Sequence, residues 1–240
     1  MAIRATTSQP AYALGRHYLD NEEIPWGQQV LRSHGMLLDV PRLLTAPVID
    51  GGVSKEEWNH AACTDSFGQL SSQHEAASPT DLRTELHLGW RHEGVYVTMV
   101  CWDDDTENLV IKPSRDDDNT GGVWQKDRVG LFWDADRDPA IYVQHAVNPG
   151  GSIRTRSANG ARCRDTTNGI SMANGRPPST RIVGVSNCTC VSTIKIRDRK
   201  WGICGRPHFF LSYRESEFVQ WTRTGRSTMR PDQLGRIVFE

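Results

Sequence analysis

The sequence predicts an all-β fold, an antiparallel β-sandwich of the immunoglobulin-like or jelly-roll type with short helical turns. Three observations predict it. Apolar and polar residues alternate in several short runs, the period of a half-buried strand. Gly, Asp, Asn and Pro clusters separate those runs and read as turns. No long helical period lies between them, which argues for antiparallel strands rather than helix-linked parallel ones.

Taken in order, residues 1–45 mix Pro, Gly and charge without a clear period and read as an irregular N-terminal lead-in. The sandwich is expected over residues 46–240. Val48 and Ile49, followed by Asp50, Gly51 and Gly52, read as a short strand entering a turn. Glu57, Trp58, Ala61 and Ala62 fit one helical turn, with Trp58 buried beneath the opening segment and Glu57 structural. Residues 69–81 form a polar loop. "TELHLGW" (84–90) and "GVYVTMVCW" (94–102) make a hairpin across "RHEG", with Gly94 available for positive φ. "RVGLFW" (128–133) and "IYVQHAV" (141–147) make a second hairpin across "DADRDPA". Residues 208–213, 217–221 and 235–240 supply three more strands. Residues 165–199 are rich in Ser, Thr, Asn, Gly and Pro and break the regularity.

The chain has 240 residues, 28 basic against 29 acidic, net −1. That balance builds no positive field for nucleic acid. Mean hydropathy is −0.54, and no apolar run is long enough to span a membrane. The first twenty residues show no continuous apolar core of a signal peptide. The sequence therefore reads as cytoplasmic, or as extracellular if the N-terminus is truncated. Six cysteines (Cys63, Cys101, Cys163, Cys188, Cys190 and Cys204) form no C-x-x-C pair, so neither a metal knuckle nor a disulfide framework is expected.

"PVIDGGVSKEEWNHA", "LGWRHEGVYVTMVCWDDD", "VWQKDRVGLFWDADRD", "YVQHAVNPGG" and the terminal "LGRIVFE" follow one another in a known order. Together they resemble the family 9 carbohydrate-binding modules and their DOMON-like relatives. The match covers about residues 46–151 and 201–240. The resemblance implies a non-catalytic β-sandwich that holds a terminal sugar of an oligo- or polysaccharide, such as xylan or cellulose, between two tryptophans. By motif position these are Trp124 and Trp221, with Asn148 touching the sugar. An indole offers a flat, polarisable platform to the apolar face of a pyranose, and polar rim groups fix its orientation. Two positions depart from the pattern. Gly130 stands where the family keeps a glutamate, and Ala146 where sugar-binding members keep a basic residue. Each loss removes a charge-assisted hydrogen bond, about 1.5–3 kcal/mol in general. Two other functions stay open: a glycan lyase or hydrolase using the acidic loops, and a structural or interaction module that keeps only the fold.

The family's G-W-x-V-E strand is missing from "RIVGVSNCTCVSTI". A shifted reading frame supplies much of it. Asn187 and Cys188 then must read Leu, and Val183–Gly184 can read Trp. Met172–Ala173 must read Gly, and Asn168–Gly169 and Asn174–Gly175 can each read Trp. A local frameshift within residues 165–199 is the expectation.

The remaining candidates have ordinary readings. Trp58, Trp90, Trp102 and Trp133 lie in or beside periodic segments and are expected to pack, while Trp26 and Trp201 are uninformative. Asp134, Asp136 and Asp138 imitate a calcium loop, but Pro139 and His145 stand where that loop needs Gly and Glu. Asp103–Asp105 and Asp116–Asp118 are acidic clusters that can hold calcium through hard oxygen ligands. The resemblance to DOMON-like domains, some of which carry haem b, makes His145 and Met99 candidate haem ligands, yet each fits a strand without one. Glu215 and Glu217 read as surface decoration.

Overall fold

The computed structural model describes residues 8–48, 53–69, 80–92, 94–103, 108–109, 127–134, 143–149, 153–157, 190–196, 204–213, 217–222 and 235–240. The expected irregular lead-in is replaced by two helices and a strand. Helix α1 (Ser8–Asp20) turns back into α2 (Ile24–Ser33). Gly15 and Gly27 sit at their crossing: a Cβ on Gly27 would lie 2.9 Å from the Gly15 carbonyl oxygen and 2.6 Å from Leu19 Cγ. Such close backbone approach is what glycine permits. Past α2, Gly35 takes φ 68°. Its N–H donates to the Arg32 carbonyl (3.0 Å), and the Met36 N–H donates to the Leu31 carbonyl (2.9 Å), a left-handed glycine cap. Strand β1 (Leu37–Val40) follows at once, and Arg32 ties the helix to it by donating to both Asp39 oxygens at 2.6 and 2.5 Å.

The opening motif is coil as far as it is described. Val48 is not in a strand; its N–H donates to Glu57 Oε1 at 3.1 Å. Residues 49–52 lie outside the described residues. Helix α3 (Lys55–Trp58) is the expected single turn. The Ser54 hydroxyl accepts from the Glu57 N–H (3.3 Å) and donates to Glu57 Oε2 (2.9 Å), a local capping arrangement. Trp58 is buried, with Leu43 and Tyr96 around it, and Glu57 is structural, both as expected.

One sheet has four strands in the order β2 (Ala62–Thr64), β4 (Thr84–Arg91), β5 (Gly94–Cys101) and β9 (Cys190–Ile196). β4 and β5 form the first expected hairpin, registered from Thr84↔Cys101 to Arg91↔Gly94. β9 pairs with β5 inside the stretch expected to be irregular; residues 165–189 and 197–199 lie outside the described residues.

The second sheet runs β1, β12 (Arg236–Phe239), β10 (Cys204–Tyr213), β6 (Arg128–Asp134), β7 (Val143–Val147) and β8 (Ile153–Ser157). β11 (Glu217–Gln220) pairs with both β10 and β3 (Gly68–Gln69). β1 and β12 run parallel, with Leu37 opposite Arg236, so the sheets are not wholly antiparallel. A strand from the first forty residues meets the last strand of the chain, a pairing that no turn signal announces.

One hydrophobic cluster draws on both sheets. Leu86, Leu88, Val95, Val97 and Met99 come from the smaller sheet; Val129, Leu131, Trp133, Val147, Val219 and Ile237 come from the larger. Trp90 closes an edge, its Nε1–H donating to the Glu240 carbonyl at 2.8 Å. No described helix is long and apolar enough to cross a membrane.

Candidate functional site

Alternation along β6 and β7 assigns two faces. Val129, Leu131, Trp133 and Val147 enter the shared core. Gly130, Phe132, Gln144 and Ala146 therefore point to the opposite face. Gly130 and Ala146 are direct cross-strand partners. The two departures read from the sequence are thus one feature: a glutamate and a basic residue at these positions would stand side by side as an ion pair. The same row continues through Phe210 and Gln220 to Gly68.

One step beyond the Val129↔Val147 pair, the register brings Arg128 opposite Asn148. Arg128 was not singled out by its sequence pattern. Its guanidinium lies over the Phe218 ring, 5.6 Å from the centroid. Gln144, Asn148 and Gln220 are buried, and each has an interaction partner. This face accordingly carries amide and guanidinium groups, its amides buried and already partnered.

Trp221 follows β11 but enters the core: it is 2% exposed and belongs to the cluster that draws on both sheets. Gly235 lies flat against it, since a Cβ there would fall 2.3 Å from Trp221 Cζ3. Asn148 is 0% exposed. Trp124, the second expected platform, lies outside the described residues, so no geometry joins the three residues.

The other candidates distribute plainly. Trp133 packs in the core, and Trp102 lies under the Arg83 guanidinium, 4.0 Å from the ring centroid. Trp26 is exposed on α2. Met99 and His145 are buried in β5 and β7; burial lowers the His145 imidazole to about 4. Asp105, Asp116–Asp118, Asp136, Asp138, Trp201 and Glu215 lie outside the described residues, and so do Cys163, Cys188 and the shifted-frame positions 168–188.

A family 9 carbohydrate-binding module from Caldicellulosiruptor kristjanssonii, bound to cellotriose, is similar in structure, with a TM-score of 0.54 and 17% identity. The likeness covers 85% of this chain and 93% of that one. The module's glucose complex gives a TM-score of 0.53 at 17% identity, over 84% of this chain and 95% of that chain. The fold is that of the family 9 modules. A candidate carbohydrate-binding protein from Bacteroides uniformis shares it, with a TM-score of 0.56 and 14% identity over 86% of this chain and all 100% of that one. No protein-family model matches the sequence, and neither does any curated protein. Within this fold, Gly130 and Ala146 fall on adjacent strands, Asn148 directly follows β7, and Trp221 falls at the core.

Proposed function

We propose that this protein binds carbohydrate without transforming it, as a β-sandwich module that holds the end sugar of an oligo- or polysaccharide. The observation that supports this most is the likeness to modules bound to cellotriose and glucose, which spans nearly the whole of those chains. Trp124 is the proposed stacking platform, and Asn148 a proposed hydroxyl partner. Arg154 on β8 is the direct cross-strand partner of Ala146, and Arg128, opposite Asn148, lies two positions further along the strand; these are the basic residues beside the position vacated at Ala146.

In the full clamp the sugar lies between Trp124 and Trp221. Trp221 is sealed in the core, so the clamp requires that ring to be uncovered, whereas a stack on Trp124 alone does not. Binding without the glutamate and the basic residue rests on fewer charge-assisted bonds. Affinity is therefore expected between about a millimolar and tens of micromolar, or about 4–7 kcal/mol. The small pair Gly130 and Ala146 favours a second reading, a module that keeps the fold and has lost sugar binding. Titration with cello- and xylo-oligosaccharides, followed by tryptophan fluorescence, separates the two. A saturable response abolished by Trp124→Ala supports sugar binding. Silence towards every oligosaccharide leaves the second reading.

A further inference from the structure

Cys63, Glu85 and His87 form a cluster on the four-stranded sheet, not the sheet that carries Gly130 and Ala146. Cys63 on β2 stands directly opposite His87 on β4. Glu85 lies two residues before His87 and so shares its face. Leu86 and Leu88 between and beyond them point inward to the core. One donor atom from each of the three lies within 4.8 Å of the others. His87 Nε2 is central, 4.0 Å from Cys63 Sγ and 3.6 Å from Glu85 Oε2.

We propose that these three side chains bind one zinc-class divalent transition metal ion, with a fourth position open to water. Tetrahedral zinc with ordinary bond lengths sets sulfur and nitrogen about 3.6 Å apart, and nitrogen and oxygen about 3.4 Å apart. The sulfur–nitrogen and nitrogen–oxygen separations close to that geometry by a few tenths of an ångström, and the sulfur–oxygen separation, within 4.8 Å, by up to about an ångström. The donor set selects the metal class. Thiolate and imidazole suit zinc or cobalt, whereas calcium and magnesium require shells of oxygen.

The surroundings orient the ligands as metal sites require. Arg83 Nη2 donates to Glu85 Oε1 at 2.8 Å, leaving Oε2 as the oxygen facing His87. The same guanidinium lies over the Trp102 ring, so Arg83 is held from two sides. Trp58 packs against the His87 ring, 6.2 Å between centroids at a 60° tilt. Burial lowers the imidazole, keeping its lone pair available. Burial, with Glu85 and Asp65, raises the Cys63 thiol. Thiolate ligation requires the thiol proton to leave to solvent as the metal–sulfur bond forms.

Cobalt(II) titration of the full chain tests this by absorption. The expected result is a sulfur-to-cobalt charge-transfer band that saturates at one ion per chain, with visible bands of tetrahedral intensity. C63S should abolish the charge-transfer band. H87Q should weaken binding by at least about 100-fold, the upper cost of losing even an outer-shell partner. Circular dichroism of both variants controls for folding. A wild-type protein with no charge-transfer band in excess cobalt overturns the proposal, and so does a band that persists in C63S.

Discussion

Gly235 shows how one hydrogen atom sets a packing limit. Its α-carbon faces the Trp221 ring, and an added methyl would also meet Thr222 Cγ2 at 2.6 Å. Gly235→Ala should destabilise the fold by about 1–3 kcal/mol, the usual cost of overpacking; an unchanged urea midpoint would contradict this. Trp58 makes the complementary case. Buried beside Leu43 and Tyr96, it should cost about 3–5 kcal/mol on replacement by Ala, read from the same denaturation curves. His145 ties stability to pH. Its imidazole titrates near 6.5 in the unfolded chain and at about 4 in the folded one. Between those values the unfolded chain takes up a proton that the folded chain refuses. Its contribution is therefore complete above pH 6.5 and declines as pH falls towards 4, by up to about 3 kcal/mol. His145→Gln should lose less stability than wild type over that interval, and parallel losses would count against the assignment.

The helix pair turns on backbone contact between elements. Gly27→Ala ordinarily favours a helix by about 1 kcal/mol. Here the new methyl would press on the Gly15 carbonyl oxygen, which cannot rotate away as a side chain can. The substitution should therefore lower stability, and a raised melting temperature would contradict the close crossing. The same glycines hid the helices in the sequence, because each lowers local helix propensity where the partner helix repays it only after folding. The β4–β5 hairpin was legible because its evidence is local: alternating residues on both sides of a short turn. The parallel β1–β12 pair was illegible because its partners lie at opposite ends of the chain. Gly130 and Ala146 were each legible as departures from a family pattern. Their pairing across β6 and β7 appeared only with the register. The cluster of Cys63, Glu85 and His87 was illegible for the same reason, since no motif spacing joins β2 to β4. Trp221 was legible as an aromatic at a strand's end, but its direction into the core was not.

Across the whole molecule, two sheets share one core in the family 9 fold, while residues 165–199 depart from the family's sequence pattern. We propose that a local frameshift produced this departure. Peptide mass spectrometry over residues 182–195 of the natural protein decides it. Masses of the shifted-frame peptide are expected, and masses matching "IVGVSNCTCVSTIK" would contradict the frameshift. The central claim, sugar binding on this fold, is tested most directly by calorimetric titration with cello- and xylo-oligosaccharides. The account predicts saturable one-site binding with Kd between about a millimolar and tens of micromolar, lost in Trp124→Ala while the fold is retained. The absence of binding heat at millimolar sugar, or undiminished binding by Trp124→Ala, would contradict it.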